Sequence, residues 1–370
     1  MDEPQAAPRS LRIAYVICED VDIETGVLKK IAMQMRIWQG KGHAVKLFAV
    51  SSGEKVWDGL REFDIDITVV RDFREKMDFD LLKRKIEPWK PDILYLRFVW
   101  LHPYVAKIFA TYPSVMEINS NDYVEVRPYL EKRREYGKLI FYLFTRRSLY
   151  RRLTGYIYLS EEFRVLFSRY RKPGIVISNG IALSEYQVYE PPRNQRPRII
   201  FIGSPDQRWH GVDKIELLAR KMPGWDFDII GSEAPRGVAG VPANIKYHGR
   251  LDKEEYSRII RGADIAVGSI AVHRNGVDEA SPLKVREYLA HGIPTIIGYK
   301  DTDFPDGAPF ILRLPNTESN VEDNLEAIKK FVSEWKGRRV AREDMRCIDA
   351  DVKEARRLEF LQDVVLKRAK

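Results

Sequence analysis

The chain has 370 residues, of which 44% are hydrophobic and 31% charged, and it carries a formal net charge of +8. This length favours two domains over a single core, and the hydrophobic fraction excludes an intrinsically disordered chain. Two cysteines are too few for a disulfide framework or a zinc site, no stretch reaches the ~18 apolar residues of a membrane span, and the N-terminus lacks the pattern of a secretory signal, so we expect a cytoplasmic protein.

The first half of the chain alternates β-rich runs with helical patterns. A buried strand is predicted in LRIAYVIC, then an amphipathic helix that ends near Gly40 or Gly42, then a second strand in AVKLFAV, which together form a βαβ unit. Further strands are predicted in DILYLRF, SVMEIN, GYIYLS and GIVIS. We therefore predict a flexible N-terminus at residues 1–10 and a doubly wound parallel sheet over residues 11–188.

The alternation restarts after a stretch rich in proline and polar residues. Residues 189–197, YEPPRNQRP, are predicted to be a linker. Over residues 198–350 strands are predicted in RIIFIGS, WDFDIIG, IKYHGR, ADIAVGSI, PTIIGY and FILRL, and residues 351–370 are predicted to form a final helix. The fold class is therefore α/β, with two Rossmann-like doubly wound domains, and ligands are expected in the cleft that such domains face, at the carboxyl ends of the strands.

A short helix that begins with cations is predicted in DEASPLKVREYLAHGIP, residues 278–294. Ser281 fits the N-cap and Pro282 the first helical position. Cations are disfavoured at the positive end of a helix dipole, so the pattern suggests that an anion binds there. The amides of Leu283 and Lys284 and the Lys284 ammonium point toward the same space, which favours phosphate.

Two glutamates flank the start of this helix. Glu287 follows Lys284 by three residues and lies ~4.5 Å further along the axis, comparable to the distance from a diphosphate to its ribose. Glu279 precedes the helix, on the side where a sugar attached to the diphosphate would lie. The alternative is a surface ion pair between Lys284 and Glu287, with Glu279 an ordinary loop residue, and the spacing alone leaves both interpretations open.

The same segment resembles the signature of family 4 of the retaining glycosyltransferases, which have the GT-B fold. That signature is a glutamate, seven residues, a second glutamate and a short helix ending in Gly-x-Pro. ISNGI, FIGSPDQRWHGVDKI and IKYHGRLDKEEYSRIIRGADIAVGSI extend the resemblance along nearly the whole chain. It implies transfer of a sugar from a nucleoside diphosphate to a glycan or lipid-linked acceptor in polysaccharide or glycoconjugate synthesis. It also implies a last helix that crosses back to the first domain.

Carried over by residue, the resemblance implies that Glu279 contacts the donor sugar and Glu287 the ribose, while Lys284 and the helix amides hold the diphosphate. The first loop of the second domain departs from the usual Lys-Gly of the family and leaves open whether Arg208 or His210 meets phosphate; a lone histidine can equally be a packing residue. The catalytic candidates are Glu279, Lys284 and Arg208. The donor-binding candidates are Gly26, Gly203, His210, Gly211, Ser281, Pro282, Leu283 and Glu287.

The first domain offers weaker signals. Gly26 is the single glycine of the turn after the first strand, and the absence of GxGxxG argues against a nicotinamide or flavin cofactor. Where many relatives have a histidine, MEINSND offers Glu117 and Asn119. These two, with Arg97 at a strand end, are the acceptor-side candidates, and His102 is a further candidate for the cleft.

No metal is expected to take part. Asp-x-Asp occurs six times, which makes it uninformative, and no spacing resembles a zinc site. The expected ligands are the nucleoside diphosphate sugar and its acceptor, without a separate cofactor.

A strongly basic stretch covers residues 132–152. From Glu131 to Leu153 eight lysines and arginines face two glutamates, a net +6, and aromatic and aliphatic residues are interleaved with them. One interpretation is a helix on an anionic membrane surface, peripheral to the inner face of the cell membrane. The other is a partly buried helix whose charges face water.

Three other functions stay open. A sugar-nucleotide epimerase or a phosphorylase can share the fold, and a binding subunit without catalytic activity can share the motifs. The pI of about 9.2 suggests nucleic-acid binding, but no recognised module and no basic groove is present, and we expect no nucleic-acid partner.

Overall fold

The computed structural model divides the chain into two compact units. It describes residues 10–71, 75, 77–97, 103–105, 107–122, 136–234 and 240–369. The first unit is Met1–Ile177 together with Asp351–Lys370, and the second is Ser178–Ala350. Nearly all of the predicted flexible N-terminus, and the candidate His102, lie outside the described residues.

The first unit contains a parallel sheet of seven described strands in the order β3-β2-β1-β4-β5-β6-β7. After Arg12 every residue of the first strand is buried, as expected for a strand covered on both faces. The strands are β1 Arg12–Ile17, β2 Ala44–Ser51, β3 Ile65–Val69, β4 Ile93–Arg97, β5 Ser114–Ile118, β6 Gly155–Tyr158 and β7 Gly174–Val176. The described α-helices are α1 Gly26–Gly40, α2 Leu81–Ile86, α3 Ile108–Thr111, α4 Tyr136–Arg152 and α5 Glu161–Phe167.

The C-terminal helix belongs to this first unit. Helix α10, Ala350–Ala369, buries Leu358, Leu361 and Val364 in the same hydrophobic cluster as strands β1 and β2. The chain thus leaves the first unit, forms the second and returns.

The second unit contains a parallel sheet of six described strands in the order β10-β9-β8-β11-β13-β15, with β12 and β14 paired separately. The strands are β8 Arg198–Ile202, β9 Asp226–Ile230, β10 Ile245–Gly249, β11 Ile265–Val267, β12 Glu279–Ala280, β13 Thr295–Ile297, β14 Lys300–Asp301 and β15 Ile311–Arg313. The helices are α6 Val212–Lys221, α7 Lys253–Arg261, α8 Leu283–Ala290 and α9 Leu325–Trp335. Both units have the predicted parallel α/β architecture.

The division between the units differs from the predicted linker. Residues 189–197 lie inside the second unit, which begins at Ser178. Tyr189 is buried, its ring stacks on His291 at 4.1 Å between centroids, and its amide donates to the carbonyl of His291 at 3.1 Å. This packing fixes the start of residues 189–197, which were predicted to be a linker because of their proline content.

Candidate active site

Helix α8 begins one residue later than its sequence predicts. Pro282 is extended (φ −67°, ψ 136°) and occupies the N-cap, so Lys284 is the second helical residue. The predicted cap, Ser281, makes no capping bond because its hydroxyl has other partners. It accepts from the amide of Asn179 at 3.0 Å and from Nη2 of Arg286 at 2.8 Å. The first amides of the helix still have no carbonyl within the helix to bond.

Lys284 carries a buried amine with no partner. Its Nζ atom is inaccessible and makes no hydrogen bond to any described residue. It lies 4.2 Å from the centroid of the Phe201 ring. Burial holds the pKa of Lys284 well below its ordinary value. The structure therefore lacks the predicted alternative of a surface pair between Lys284 and Glu287.

His210 lies beside this amine and also keeps an unpartnered nitrogen. Its Nδ1 atom is buried without a hydrogen bond to the described residues, and its ring meets Phe201 edge-on at 5.4 Å. Burial first, and then the charge of Lys284, lower the pKa of His210 to about 3. Gly203 leaves room for the His210 ring, since a Cβ atom at residue 203 would lie 2.7 Å from His210 Nδ1. Of the two residues left open by the sequence, His210 is adjacent to Lys284, whereas Arg208 is exposed.

The loop that carries His210 is fixed by a glycine and an arginine. Gly211 adopts φ +75°, and a Cβ atom there would lie 2.8 Å from Ile270. Arg274 donates to the carbonyl of Arg208 at 3.0 Å and to both carboxylate oxygens of Asp213, at 2.9 and 2.7 Å. Arg274 was not predicted from the sequence, because it lies 66 and 61 positions after its partners Arg208 and Asp213.

A buried arginine fixes the segment in front of helix α8. Arg286 is fully buried and bonds both oxygens of Asp301 at 2.8 Å, with an oxygen of Asp303 at 2.7 Å. Its Nε also donates to the carbonyl of Asn179 at 3.1 Å. Arg286 thus joins ISNGI, the helix start and the loop after β14. This network was missed because one of six Asp-x-Asp pairs is indistinguishable from the others by sequence.

The two predicted glutamates lie on opposite sides of the helix start along the chain and have different partners. Glu279 is in β12 opposite Lys300 and forms an ion pair with it, Nζ to Oε1, at 3.0 Å. Glu287 accepts a hydrogen bond from the hydroxyl of Tyr256 at 2.6 Å, Oη to Oε1. Both carboxylates are positioned by neighbours within the second unit.

The candidates of the first unit take part in a buried ion network. Glu117 is buried and bonds Lys30 at 2.7 Å, Arg357 at 3.0 Å and Arg97 at 3.3 Å. These cations outweigh burial and hold the pKa of Glu117 far below its ordinary value. Asn119 donates to the backbone carbonyl of Glu117 at 3.3 Å. Because Arg357 lies on α10, Glu117 attaches the C-terminal helix to the sheet.

Gly26, the donor-side candidate of this unit, is the exposed first residue of helix α1. Thr25 caps the helix, and its hydroxyl accepts from the amide of Leu28 at 3.1 Å.

Helix α4 presents an apolar and basic face to solvent. Ile140, Leu143 and Phe144 are 53, 49 and 82% exposed, and Arg147 lies on the same face by helical spacing. Arg146 is buried and paired with Asp122, so its charge does not reach the surface. Residues 132–135 of the predicted basic stretch lie outside the described residues.

Residues 212–363 match the family model described as "Glycosyl transferase-like", a stretch that includes Glu279, Lys284 and Glu287. No curated protein matches the sequence. The structure is similar over 98% of both chains to sucrose-phosphate synthase from Thermosynechococcus elongatus, with a TM-score of 0.64 and 14% identity.

The structure has similar TM-scores and sequence identities to other solved structures. The lipopolysaccharide outer core galactosyltransferase WaaB gives a TM-score of 0.65 at 13% identity, covering 97% of this chain and 100% of the other. The chain has the GT-B fold. An alpha-glucosyltransferase in complex with UDP and DNA gives 0.55 at 13% identity, with 95% of each chain covered. At these identities the likeness establishes the GT-B fold alone.

No helix among the described residues of this GT-B chain is long and apolar enough to cross a membrane. Among the same residues no group of three or more His, Cys, Asp or Glu side chains is arranged to hold a metal ion.

Proposed function

We propose that the chain is a retaining glycosyltransferase that moves a sugar from a nucleoside diphosphate to a glycan or lipid-linked acceptor in the synthesis of a cell-surface polysaccharide or glycoconjugate. One observation carries the proposal: the buried amine of Lys284, without a partner, at the start of helix α8. The glycosyl transferase-like match over this region supports it. UDP in one structural neighbour and lipopolysaccharide in the name of another support the donor and acceptor classes.

An anion explains the unpaired amine. Burying an ammonium group without a partner costs several kcal/mol. The nearby Nδ1 atom of His210 is also buried without a hydrogen bond to the described residues, and it does not offset this cost. A diphosphate beside Lys284 supplies the missing charge and accepts from the first amides of α8. The ligand therefore completes contacts that the protein alone leaves unmade.

The same contacts serve catalysis. When the bond between the anomeric carbon and the phosphate oxygen breaks, negative charge grows on the diphosphate and positive charge on the sugar ring. Lys284 and the helix amides stabilise the leaving group, Glu279 lies on the sugar side and Glu287 on the ribose side. The acceptor attacks the same face of the sugar, and a phosphate oxygen takes its proton, so the configuration is retained and neither a protein nucleophile nor a metal ion is required.

The exposed face of helix α4 supports peripheral attachment to an anionic membrane. Ile140 and Phe144 are exposed on one stripe with Arg147. An apolar stripe flanked by arginines is the pattern of helices that lie in the headgroup region. The proposed location is the cytoplasmic face of the membrane, where a lipid-linked acceptor would be found.

The proposal is tested by ligand-induced thermal stabilisation. The wild type is mixed with UDP, GDP, ADP or dTDP, or with one of their sugars. The nucleotides of one base should raise the melting temperature by roughly 5–10 °C at 100 times their Kd. Lys284→Met should abolish the increase, and its ligand-free form should melt no lower than the wild type because the amine has no partner to lose. Lys246→Met, which removes an exposed lysine of the same unit, is the control. A Lys284→Met variant that keeps the full increase contradicts the site, and a wild type that responds to no nucleotide contradicts the function.

A further inference from the structure

Tyr256 contacts the carboxylate proposed to bind ribose. Its hydroxyl donates to Oε1 of Glu287 at 2.6 Å, the usual length of a charge-assisted bond between a hydroxyl and a carboxylate. Tyr256 belongs to helix α7 and Glu287 to helix α8. The contact joins two helices of the second unit whose residues are 31 positions apart.

The hydroxyl is a permanent donor. Burial, and then the negative charge of Glu287, raise the pKa of Tyr256 above its ordinary value, so the proton stays on the phenol. Tyr256 therefore contributes a hydrogen to the carboxylate at neutral pH.

The tyrosine is itself firmly placed. Helix α7 is capped by Asp252, whose carboxylate accepts from the amide of Glu255 at 2.8 Å. Ile259 and Ile260, three and four residues after Tyr256 and so on the same face, are buried in the hydrophobic core against which Tyr256 packs. Because helix α7 is held at its start and along one face, the Tyr256 hydroxyl has a fixed position relative to the Glu287 side chain.

A glutamate side chain has three rotatable bonds, and ordering it costs free energy when a ligand binds. A carboxylate has about four positions at which it can accept, and Tyr256 takes one of them, on Oε1. Tyr256 thus orders the carboxylate of Glu287 before the ligand arrives.

We propose that Tyr256 is a positioning residue that holds Glu287 toward the 2′- and 3′-hydroxyls of the donor, and that the chain therefore selects ribonucleoside diphosphates over their deoxy counterparts. This inference rests on the proposed function. It adds the class of nucleotide and the residue through which that class is recognised.

The test compares ligands with and without the hydroxyls. Binding of UDP, GDP and ADP, and of their 2′,3′-dideoxy counterparts, is measured by isothermal titration calorimetry. The wild type should bind one ribonucleoside diphosphate at least about tenfold more tightly than its dideoxy form. Tyr256→Phe should weaken the ribonucleotide by about tenfold and leave the dideoxy form unchanged. In a Glu287→Gln background the tyrosine substitution should have no further effect.

The matched control is Tyr247→Phe. Tyr247 also donates to a glutamate of the second unit, Glu216, on helix α6. Its loss should leave both nucleotide affinities unchanged. Should Tyr256→Phe not fold, Tyr256→His, which retains an N–H donor, is measured against the same ligands and should keep most of the preference for ribose.

The outcomes separate the two proposals. If the wild type binds no nucleoside diphosphate, the proposed function fails. If the wild type prefers the ribonucleotide and Tyr256→Phe does too, to the same degree, the inference about Tyr256 is wrong while the function stands. Equal weakening of ribo and dideoxy ligands would show a structural role only and would likewise overturn it.

Discussion

The amine of Lys284 lies over the ring of Phe201, 4.2 Å from its centroid, at the start of a helix and without a hydrogen-bond partner among the described residues. The attraction of an ammonium to an aromatic face is about 2 kcal/mol when desolvated, which is less than the cost of its burial. Burial therefore favours the neutral amine in the ligand-free protein, and a bound anion would favour the charged ammonium.

Binding of a nucleoside diphosphate should be coupled to the uptake of a proton by Lys284. In the free protein burial holds the pKa of Lys284 well below its ordinary value. Adjacent phosphates raise it again, so between these two pKa values the complex carries a proton that the free protein lacks, and affinity falls as pH rises across that window. His210, whose pKa is lowered to about 3, is neutral in the free protein throughout.

Calorimetry in two buffers of different ionisation enthalpy measures this uptake. The measurement is made at several pH values from about 8 upward, where the second phosphate proton, with a pKa near 6, no longer contributes. The prediction is contradicted if the wild type takes up no proton when it binds the nucleotide. It is also contradicted if a Lys284→Met variant binds with the same proton uptake, since the proton would then belong to another group.

Arg286→Met should destabilise the protein by about 3–5 kcal/mol, because it leaves the carboxylates of Asp301 and Asp303 buried without their cation. Urea unfolding gives the free energy of unfolding. Lys329→Met, which breaks an exposed ion pair with Glu326, should change it by less than about 0.5 kcal/mol. Equal effects of the two substitutions would show that the Arg286 network is not a structural requirement.

Glu117 should stabilise the first unit at neutral pH and lose that effect in acid. Its pKa in the folded protein lies far below the ~4.3 of an unfolded chain, so the unfolded state binds more protons and stability falls as pH decreases below about 5. The difference in free energy of unfolding between wild type and Glu117→Gln should therefore be largest near neutral pH and shrink on acidification. A difference that is the same at about pH 7 and about pH 3 would contradict this role.

Phe144→Asp should reduce binding to anionic vesicles. Phe144 is 82% exposed on the basic face of helix α4, and burying a phenylalanine contributes about 1.5–3 kcal/mol. Flotation with vesicles that contain phosphatidylglycerol measures the bound fraction. Val352→Asp, which changes an apolar residue of α10 that is 54% exposed, is the control. Equal flotation of Phe144→Asp and wild type would remove the membrane hypothesis.

The parallel sheets were predictable because buried parallel strands form short apolar runs between helical patterns. Strand β3 was missed: Ile65–Val69 is at the sheet edge, where an aspartate interrupts the apolar residues. The short pair β12 and β14 was missed as well, since two-residue strands carry no periodicity.

The error at helix α8 has a non-local cause. Ser281 is a good N-cap by local chemistry, but Asn179, 102 positions earlier, binds its hydroxyl. The burial of Lys284 and of Arg286 has the same origin, because both depend on which strands and loops surround the helix. Local sequence located the helix and its charges, and only the tertiary structure distinguishes an unpaired amine from a paired guanidinium.

The central claim is that Lys284 and the start of helix α8 hold the donor diphosphate. The most direct measurement is a crystal structure of the protein with the nucleoside diphosphate that stabilises it. A phosphate oxygen about 3 Å from Lys284 Nζ and from the first amides of α8 is the predicted result. A diphosphate bound elsewhere, with Lys284 still facing only Phe201, would contradict it.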